Sequence, residues 1–373
     1  MNLGEKMKII AFYLPQFHSF PENDAWWGKG FTEWTNTRKT VPQYKGHYEP
    51  REPLHDNYYN LLNNDVFRWQ IDLAHKYGVY GFCFYHYWFG ENHKLMQQPL
   101  ENFLKDKTLD QKFCISWANE TWSRRWNGSD KDVLIEQDYG SKETWQRHFE
   151  YLLPFFKDSR YINVDGKPLF ILYKPEIFPE YRNMFKMWDR LAKENGLSGL
   201  TFAIQGAEWN TSEGGTSQSG DYRIMYEPGY TGTQKRISKG LRFGATSLYF
   251  KLKSKLNRRS NVQFRSYDAY CKNIIRRRVH SKNIFPGLFV NWDNTPRRGS
   301  EGSSFIGSSP KKFETYLSQL IQKARNQYNS EYIFVNAWNE WAEGCYLEPD
   351  KKFGYGYLEA IGNALRQNDE FPD

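Results

Sequence analysis

Eight short apolar runs, set apart mostly by amphipathic helical patterns, restrict this chain more than any other feature. The runs are Lys8–Leu14, Val79–Tyr85, Lys112–Trp117, Pro168–Tyr173, Leu200–Gln205, Tyr222–Tyr226, Ile284–Asn291 and Glu331–Ala337. They are near-continuously apolar rather than alternating, as strands covered on both faces are. Between them, Asp65–Tyr77 carries Phe67, Ile71, Ala74 and Tyr77 on one face and stops at Gly78, a natural helix-ending residue. Thr144–Phe156 and Tyr181–Asn195 behave similarly. Ser309-Pro310 reads as an N-cap with proline at the first helical position, followed by Phe313, Leu317, Leu320 and Ala324 at helical spacing. Eight strands alternating with helices imply a single (β/α)8 TIM barrel over 1–373, a length such barrels reach as one domain. The other candidate, a doubly wound open sheet, would normally carry a glycine-rich phosphate turn after its first strand, and PQFHSFPEND is not one.

Composition removes several classes. Cys83, Cys114, Cys271 and Cys345 are scattered with no CxxC pair, which argues against a zinc site or disulfide framework and for a reducing compartment. The N-terminal MNLGEKMKIIAFYLPQF lacks a signal-peptide pattern, and no run of about 18 apolar residues occurs. The expectation is a soluble, cytoplasmic protein with no metal and no cofactor.

A barrel places its chemistry just past the C-terminal ends of its strands. There the sequence changes character. Strand one is followed by His18 and by Trp26, Trp27, Glu33 and Trp34. Strand two ends in Tyr85, His86, Tyr87 and Trp88, and strand three runs into Asn119, Glu120, Trp122, Arg124, Arg125 and Trp126. Glu208-Trp209 and Glu227 follow strands five and six, and Trp292, Asp293 and Arg297 follow strand seven. After strand eight come Asn339, Glu340, Trp341 and Glu343, with Glu348 beyond. Of the 14 tryptophans only Trp69, Trp145 and Trp188 fall in predicted helices, a bias core packing alone would not produce. If the chain turns helically after Asn339, Glu340 and Glu343 share one face, with Cβ atoms about 5–6 Å apart. That separation suits retaining glycoside chemistry, whose carboxyls sit roughly 5–5.5 Å apart.

Sugar rings lay apolar C–H faces on indoles and phenols, while their hydroxyls require carboxylates, amides and arginines. A mouth rich in both is therefore expected to hold an oligo- or polysaccharide. In this reading Glu340 and Glu343 are catalytic, and the other strand-end residues named above, apart from Tyr87, Glu208-Trp209 and Glu227, bind substrate.

Six blocks in order, YLPQFH, WWGKGFTEW, GFCFYHYWF, WANETWSRRW, WDNTPRR and NAWNEWAEGCYLEPD, resemble the WbsX-like family, from about Ile9 to Leu358. That family is labelled glycosyltransferase and found with O-antigen or capsule biosynthesis. It is similar in turn to glycoside hydrolase family 99, the endo-α-1,2-mannosidase and mannanase group, chiefly through the barrel and NEWxEG. The resemblance implies that Glu343 is the general acid/base. It also implies that Glu340 assists the sugar's own 2-hydroxyl as nucleophile, through a 1,2-anhydro intermediate with retention. Ala342 stands where family 99 commonly has His, so donor and linkage are not carried over.

Glu120 competes for a catalytic post, since Asn119-Glu120 repeats Asn339-Glu340; the reading preferred here is a sugar-hydroxyl acceptor held by Arg124 or Arg125. His18 and His86 lack the paired spacing of metal ligands. Asp130-Lys131-Asp132 matches the acidic D-x-D of sugar-nucleotide enzymes, but stands alone in a Gly-Ser loop without a phosphate-cradling glycine turn. Nucleotide-sugar or lipid-linked-sugar transfer and a non-catalytic sugar-binding barrel are the alternatives.

One segment departs from the rest. The residues 230–283 read as a basic insertion in the barrel. Between Gln234 and Lys282 lie fifteen Lys and Arg against one acid, Asp268, a local charge of +14 in a chain of +8, so the remainder is −6. Leu241, Ala245, Leu248, Leu252 and Leu256 recur at helical spacing with cations opposite. Such a helix fits an anionic membrane surface or a lipid-linked glycan, on the inner membrane face, better than nucleic acid, for which no binding fold surrounds it.

Overall fold

The computed structural model describes residues 5–90, 93–123, 132–205, 222–233, 261–279 and 283–372. Its centre is a parallel barrel of eight strands in sequence order: β1 (Lys8–Tyr13), β2 (Val79–Trp88), β3 (Lys112–Trp117), β4 (Lys167–Leu172), β5 (Thr201–Ile204), β6 (Tyr222–Ile224), β7 and β8 (Tyr332–Asn336). The seventh strand is broken at Pro286, and the break closes the ring. Its first piece, Ile284–Phe285, pairs with β6, and its second, Gly287–Phe289, pairs with β8. Gly287 sits on that seam, where an added Cβ would lie 2.1 Å from the Met225 carbonyl oxygen, so only glycine lets the strands approach.

Helices α1 (Asn64–Tyr77), α2 (Gln97–Lys105), α3 (Lys142–Phe156), α4 (Tyr181–Glu194), α5 (Tyr267–Arg276), α6 (Pro310–Lys323) and α7 (Gly356–Arg366) follow the chain, their apolar faces turned inward. The α1 helix ends on Gly78 in the left-handed conformation at φ 80°, and the Ser309 hydroxyl caps α6 by accepting from the Lys312 amide. Strand residues alternate between two cores. Phe12, Tyr85, Tyr226 and Phe334 pack within the barrel, and Tyr13, Phe82 and Phe84 pack against α1 and α2.

Part of the basic stretch 230–283 belongs to the barrel's own helical layer. Tyr267, Tyr270, Cys271 and Ile274 of α5 are buried, and the Tyr267 hydroxyl donates to the Phe289 carbonyl of β7. The Leu241–Leu256 pattern lies outside the described residues, as do Arg124, Arg125, Trp126, Asp130, Lys131 and Glu208-Trp209.

Candidate active site

After β8 the chain forms a small hairpin, Asn339–Glu340 paired with Cys345–Tyr346, whose tip is one tight helical turn, Trp341–Glu343. The turn carries Glu340 at its entry and Glu343 at its end. It closes on Gly344 at φ 57°, where a Cβ would meet the Arg51 guanidinium at 2.8 Å. The anticipated turn after Asn339 is therefore present, as a single turn.

Both glutamates meet one cation. Arg297, from the loop after β7, donates through Nη1 to Glu343 Oε1 at 2.5 Å and through Nη2 to Glu340 Oε2 at 3.1 Å. The same Nη2 reaches Glu33 Oε1 at 2.5 Å. Three carboxyls from loops one and eight thus converge on a guanidinium from loop seven. The Glu33 side chain is fully buried, whereas that of Glu343 is 16% exposed and that of Glu340 7%. Burial raises the pKa of both Glu340 and Glu343, and the charge of Glu343 pushes Glu340 well up, against the pull of Arg297.

Aromatic rings stand beside the carboxyls. Trp122 packs its ring 5.2 Å from Tyr87 and 6.0 Å from Trp26, and Tyr87 feels the charges of Glu340, Arg297 and Glu120. Tyr85, Tyr173 and Tyr226 line the barrel beneath. The Tyr85 hydroxyl bonds that of Tyr226 at 3.2 Å, and burial drives all three phenols far above the ordinary range. Glu120 is half-buried and paired with Lys174, the residue after Tyr173, rather than with any described arginine. Trp292 is half-buried on loop seven, and its carbonyl receives the Phe305 amide. Trp27 stacks on Phe31 beside the same first loop.

Several strand-end residues are occupied within the fold. Asn339 bonds the Leu14 backbone at both N and O (2.7 and 2.9 Å), and Asn119 does the same to Lys174, 2.8 Å each. The two Asn-Glu pairs thus use their amides as staples between neighbouring strand ends. His86 and Trp88 face the helical layer: His86 Nε2 lies 2.9 Å from His148 Nε2, and Trp88 stacks on His148. Burial lowers the His86 pKa to about 3 and that of His148 well down. His18 is buried, its Nδ1 3.1 Å from the Pro15 carbonyl, so that nitrogen carries the proton. Trp34 donates to the Tyr59 carbonyl and packs 5.1 Å from Trp341, while Trp341 and Trp338 both donate to Glu348.

Asp293 supports the turn from behind. Its amide donates to the Glu343 carbonyl at 2.6 Å, and its carboxylate accepts from Thr295, Ser304 and His47. His47, Glu49 and Asp293 lie close enough to share a cation, and the chemistry of the cluster tests that idea. The His47 Nδ1 accepts the Gln43 amide, so its Nε2 carries a proton toward Asp293 and offers no lone pair. Arg51 supplies positive charge there, bonding Glu49 at 2.9 Å and lying 3.6 Å from Asp293. The residues fit a support in which neutral His47 donates to Asp293 and Arg51 supplies the charge, and do not fit a metal. All four cysteines are free and buried.

Tyr87, Tyr173, Tyr226, Lys174 and the His47–Arg51 stretch complete the site beyond the residues proposed from sequence. Strand alternation would have selected Tyr87 over its neighbours His86 and Trp88; Lys174 and His47–Arg51 arrive through tertiary structure, with no local signal.

The fold and the mouth together define the class, a (β/α)8 barrel whose strand-end loops gather carboxyls and aromatic rings. The chain belongs to the glycosyltransferase WbsX family, whose model matches residues 9–361. It is 34% identical over 363 residues to the uncharacterized protein WxcX of Xanthomonas campestris pv. campestris, in two strains. That match covers 96% of this chain and 49% of WxcX, so the chain spans about half the length of the curated relatives it matches. Among solved structures, the GH99 endo-alpha-mannosidase from Bacteroides thetaiotaomicron superposes with a TM-score of 0.55 at 16% identity, covering 97% of each chain. A glycoside hydrolase-like protein gives 0.54 at 13% identity, over 100% of this chain and 96% of its own. These likenesses establish the shared barrel fold.

Proposed function

We propose that this barrel cleaves or transfers glycosidic bonds in a bacterial polysaccharide of the O-antigen or capsule type, with retention. The observation that carries the reading is the meeting of Glu340 and Glu343 on the single guanidinium of Arg297. Two buried carboxyls around one such cation can divide the labour of acid and base, one keeping a proton while the other is ionised. At rest the shared proton favours Glu340, the more strongly raised of the two. Once it has passed to Glu343, ionised Glu340 takes the proton of the sugar 2-hydroxyl as that oxygen attacks C1, while Glu343 protonates the departing glycosidic oxygen. In the second half, Glu343 removes a proton from water or an acceptor hydroxyl that opens the 1,2-anhydro ring at C1, and Glu340 returns the proton to O2. Trp26, Trp122 and Tyr87 offer ring faces for the sugar. The test is incubation with a panel of bacterial polysaccharides, following product mass and anomeric configuration. Inverted products, or none with any glycan, would overturn it.

Transfer from a nucleotide- or lipid-linked sugar is the second reading, favoured by the glycosyltransferase description of the family. It expects turnover only with an activated donor, where the first expects it from the glycan alone. No helix among the described residues is long and apolar enough to cross a membrane. The basic stretch between Gln234 and Lys282 supports a peripheral role instead. Its described part exposes Lys272, Arg276 and Arg278, and each cation near an anionic leaflet contributes about 1 kcal/mol. Co-sedimentation with anionic liposomes, weakening as salt rises and reduced when the exposed Lys272, Arg276 and Arg278 are replaced by glutamate, which leaves the buried face of α5 intact, is the expected result; indifference to lipid charge would refute it.

A further inference from the structure

One buried carboxyl near the turn takes no part in the chemistry above. Glu348 is 2% exposed, just past the hairpin that carries Glu340, and makes no ion pair among the described residues. Its oxygens accept four hydrogen bonds. Oε1 receives Gln70 Nε2 at 2.7 Å and Trp338 Nε1 at 3.1 Å; Oε2 receives Trp341 Nε1 at 2.6 Å and the Tyr59 hydroxyl at 2.9 Å. An ionised carboxylate has about four acceptor positions, so none is left for a sugar hydroxyl.

The donors are what matter. Trp338 and Trp341 stand on either side of Asn339-Glu340, and Trp341 opens the turn that ends on Glu343. The Trp341 ring lies 3.8 Å from Tyr346 and 5.1 Å from Trp34, so its N–H bond to Glu348 fixes the remaining freedom of a stacked indole. Tyr59 extends the network, accepting from Asn339 at 3.4 Å, and Gln70 is held by the Tyr13 hydroxyl at 2.6 Å. We infer that Glu348 is a positioning residue for the Glu340–Glu343 pair: its carboxylate pins the two indoles flanking Asn339-Glu340, and with them the turn that presents both carboxyls. The inference rests on the catalytic reading given above for that pair.

Two of the four donors are indole N–H groups that cannot reverse. The Tyr59 hydroxyl can turn round and accept, and the Gln70 amide can do so only by flipping and giving up the bond it accepts from the Tyr13 hydroxyl. A proton on Glu348 therefore reverses Tyr59, flips Gln70 or breaks an indole bond, and a carboxamide at this position sets its own N–H donors against the indoles. Burial pushes the Glu348 pKa up to about 7 while the four bonds pull it down. The titratable groups facing it are the phenols of Tyr13 and Tyr59, both driven far up by burial and by the Glu348 charge.

The experiment uses the full chain labelled at the indole nitrogens, with Trp338→Phe and Trp341→Phe assigning the two N–H resonances. In the native chain both resonances are expected to move together as pH is stepped through 7, and Glu348→Gln should abolish that step. On the glycan the protein accepts, Glu348→Gln should lower kcat about 10²-fold with KM little changed, the size expected from a small misplacement of catalytic groups. Glu348→Asp, which keeps the charge, should recover part of it. Should Glu348→Gln fail to fold, Tyr59→Phe removes one donor and should move the indole step to higher pH. Indole resonances without a shared step, an unmoved step in Tyr59→Phe, or an unchanged kcat in Glu348→Gln would each overturn the inference. Native turnover by Glu343→Gln would sink the catalytic reading instead, and is read independently of the indole titration.

Discussion

The guanidinium of Arg297 donates through Nη1 to Oε1 of Glu343 at 2.5 Å, tying the loop after β7 to the turn after β8. The same group neutralises Glu340 and Glu33, so removing it strands buried negative charge. Arg297→Met is expected to cost about 3–5 kcal/mol, the range for breaking a buried ion pair from one side. Adding Glu33→Gln should recover part of the loss. Urea denaturation of the single and double variants checks both; a loss within the ~1 kcal/mol of a surface pair would show that the cluster is not a balanced unit.

Acid sensitivity should trace to His86 and His148. Both are held neutral by burial, His86 down to about 3 from an ordinary value near 6.5. A depressed histidine pKa means the unfolded chain binds protons that the folded one refuses. Stability is therefore full above pH 6.5 and falls as pH drops below it. At pH 5 His86 alone should account for about 2 kcal/mol. Urea midpoints at neutral and acid pH should converge in a His86→Phe, His148→Phe double variant; an undiminished acid loss would place the sensitivity elsewhere.

The barrel seam offers a purely structural test. Gly287→Ala brings a Cβ to 2.1 Å from the Met225 carbonyl oxygen, and overpacking of that kind costs about 1–3 kcal/mol. Thermal melting should show a clear drop in midpoint. An unchanged melt would mean that β6 and β7 part without cost.

The fold was legible because its strands are buried on both faces. Runs such as Lys8–Leu14 and Lys112–Trp117 read as apolar blocks, and Gly78 and Ser309-Pro310 punctuate the helices by local chemistry. Strand seven was legible as a run but not as a broken one, since Pro286 and Gly287 acquire their meaning only from the neighbours on either side of the seam. In the site, the turn bearing Glu340 and Glu343 was local in sequence and so readable. Asn119 and Asn339 look like sugar ligands from composition, but an amide beside a strand end satisfies backbone groups of the adjacent strand first. His86 and Trp88 differ from Tyr85 and Tyr87 only by which side of β2 they occupy, and period-two alternation settles that once the strand is known to reach Trp88. The grip of Arg297 on three carboxyls joins loop seven to Glu33, 264 residues away, and to Glu340 and Glu343, 43 and 46 residues away, which no spacing encodes.

The most direct test of the catalytic pair compares turnover by the native chain, Glu343→Gln and Glu120→Gln on the glycan that the polysaccharide panel identifies, with product anomers followed by NMR. Glu343→Gln should lose roughly 10²–10⁴-fold in rate, the contribution of a positioned general acid/base. Glu340→Gln should be at least as damaging, and Glu120→Gln should chiefly raise KM, with products retaining their anomeric configuration. Near-native turnover by Glu343→Gln, together with its abolition in Glu120→Gln, would contradict the assignment and move the chemistry to the end of β3.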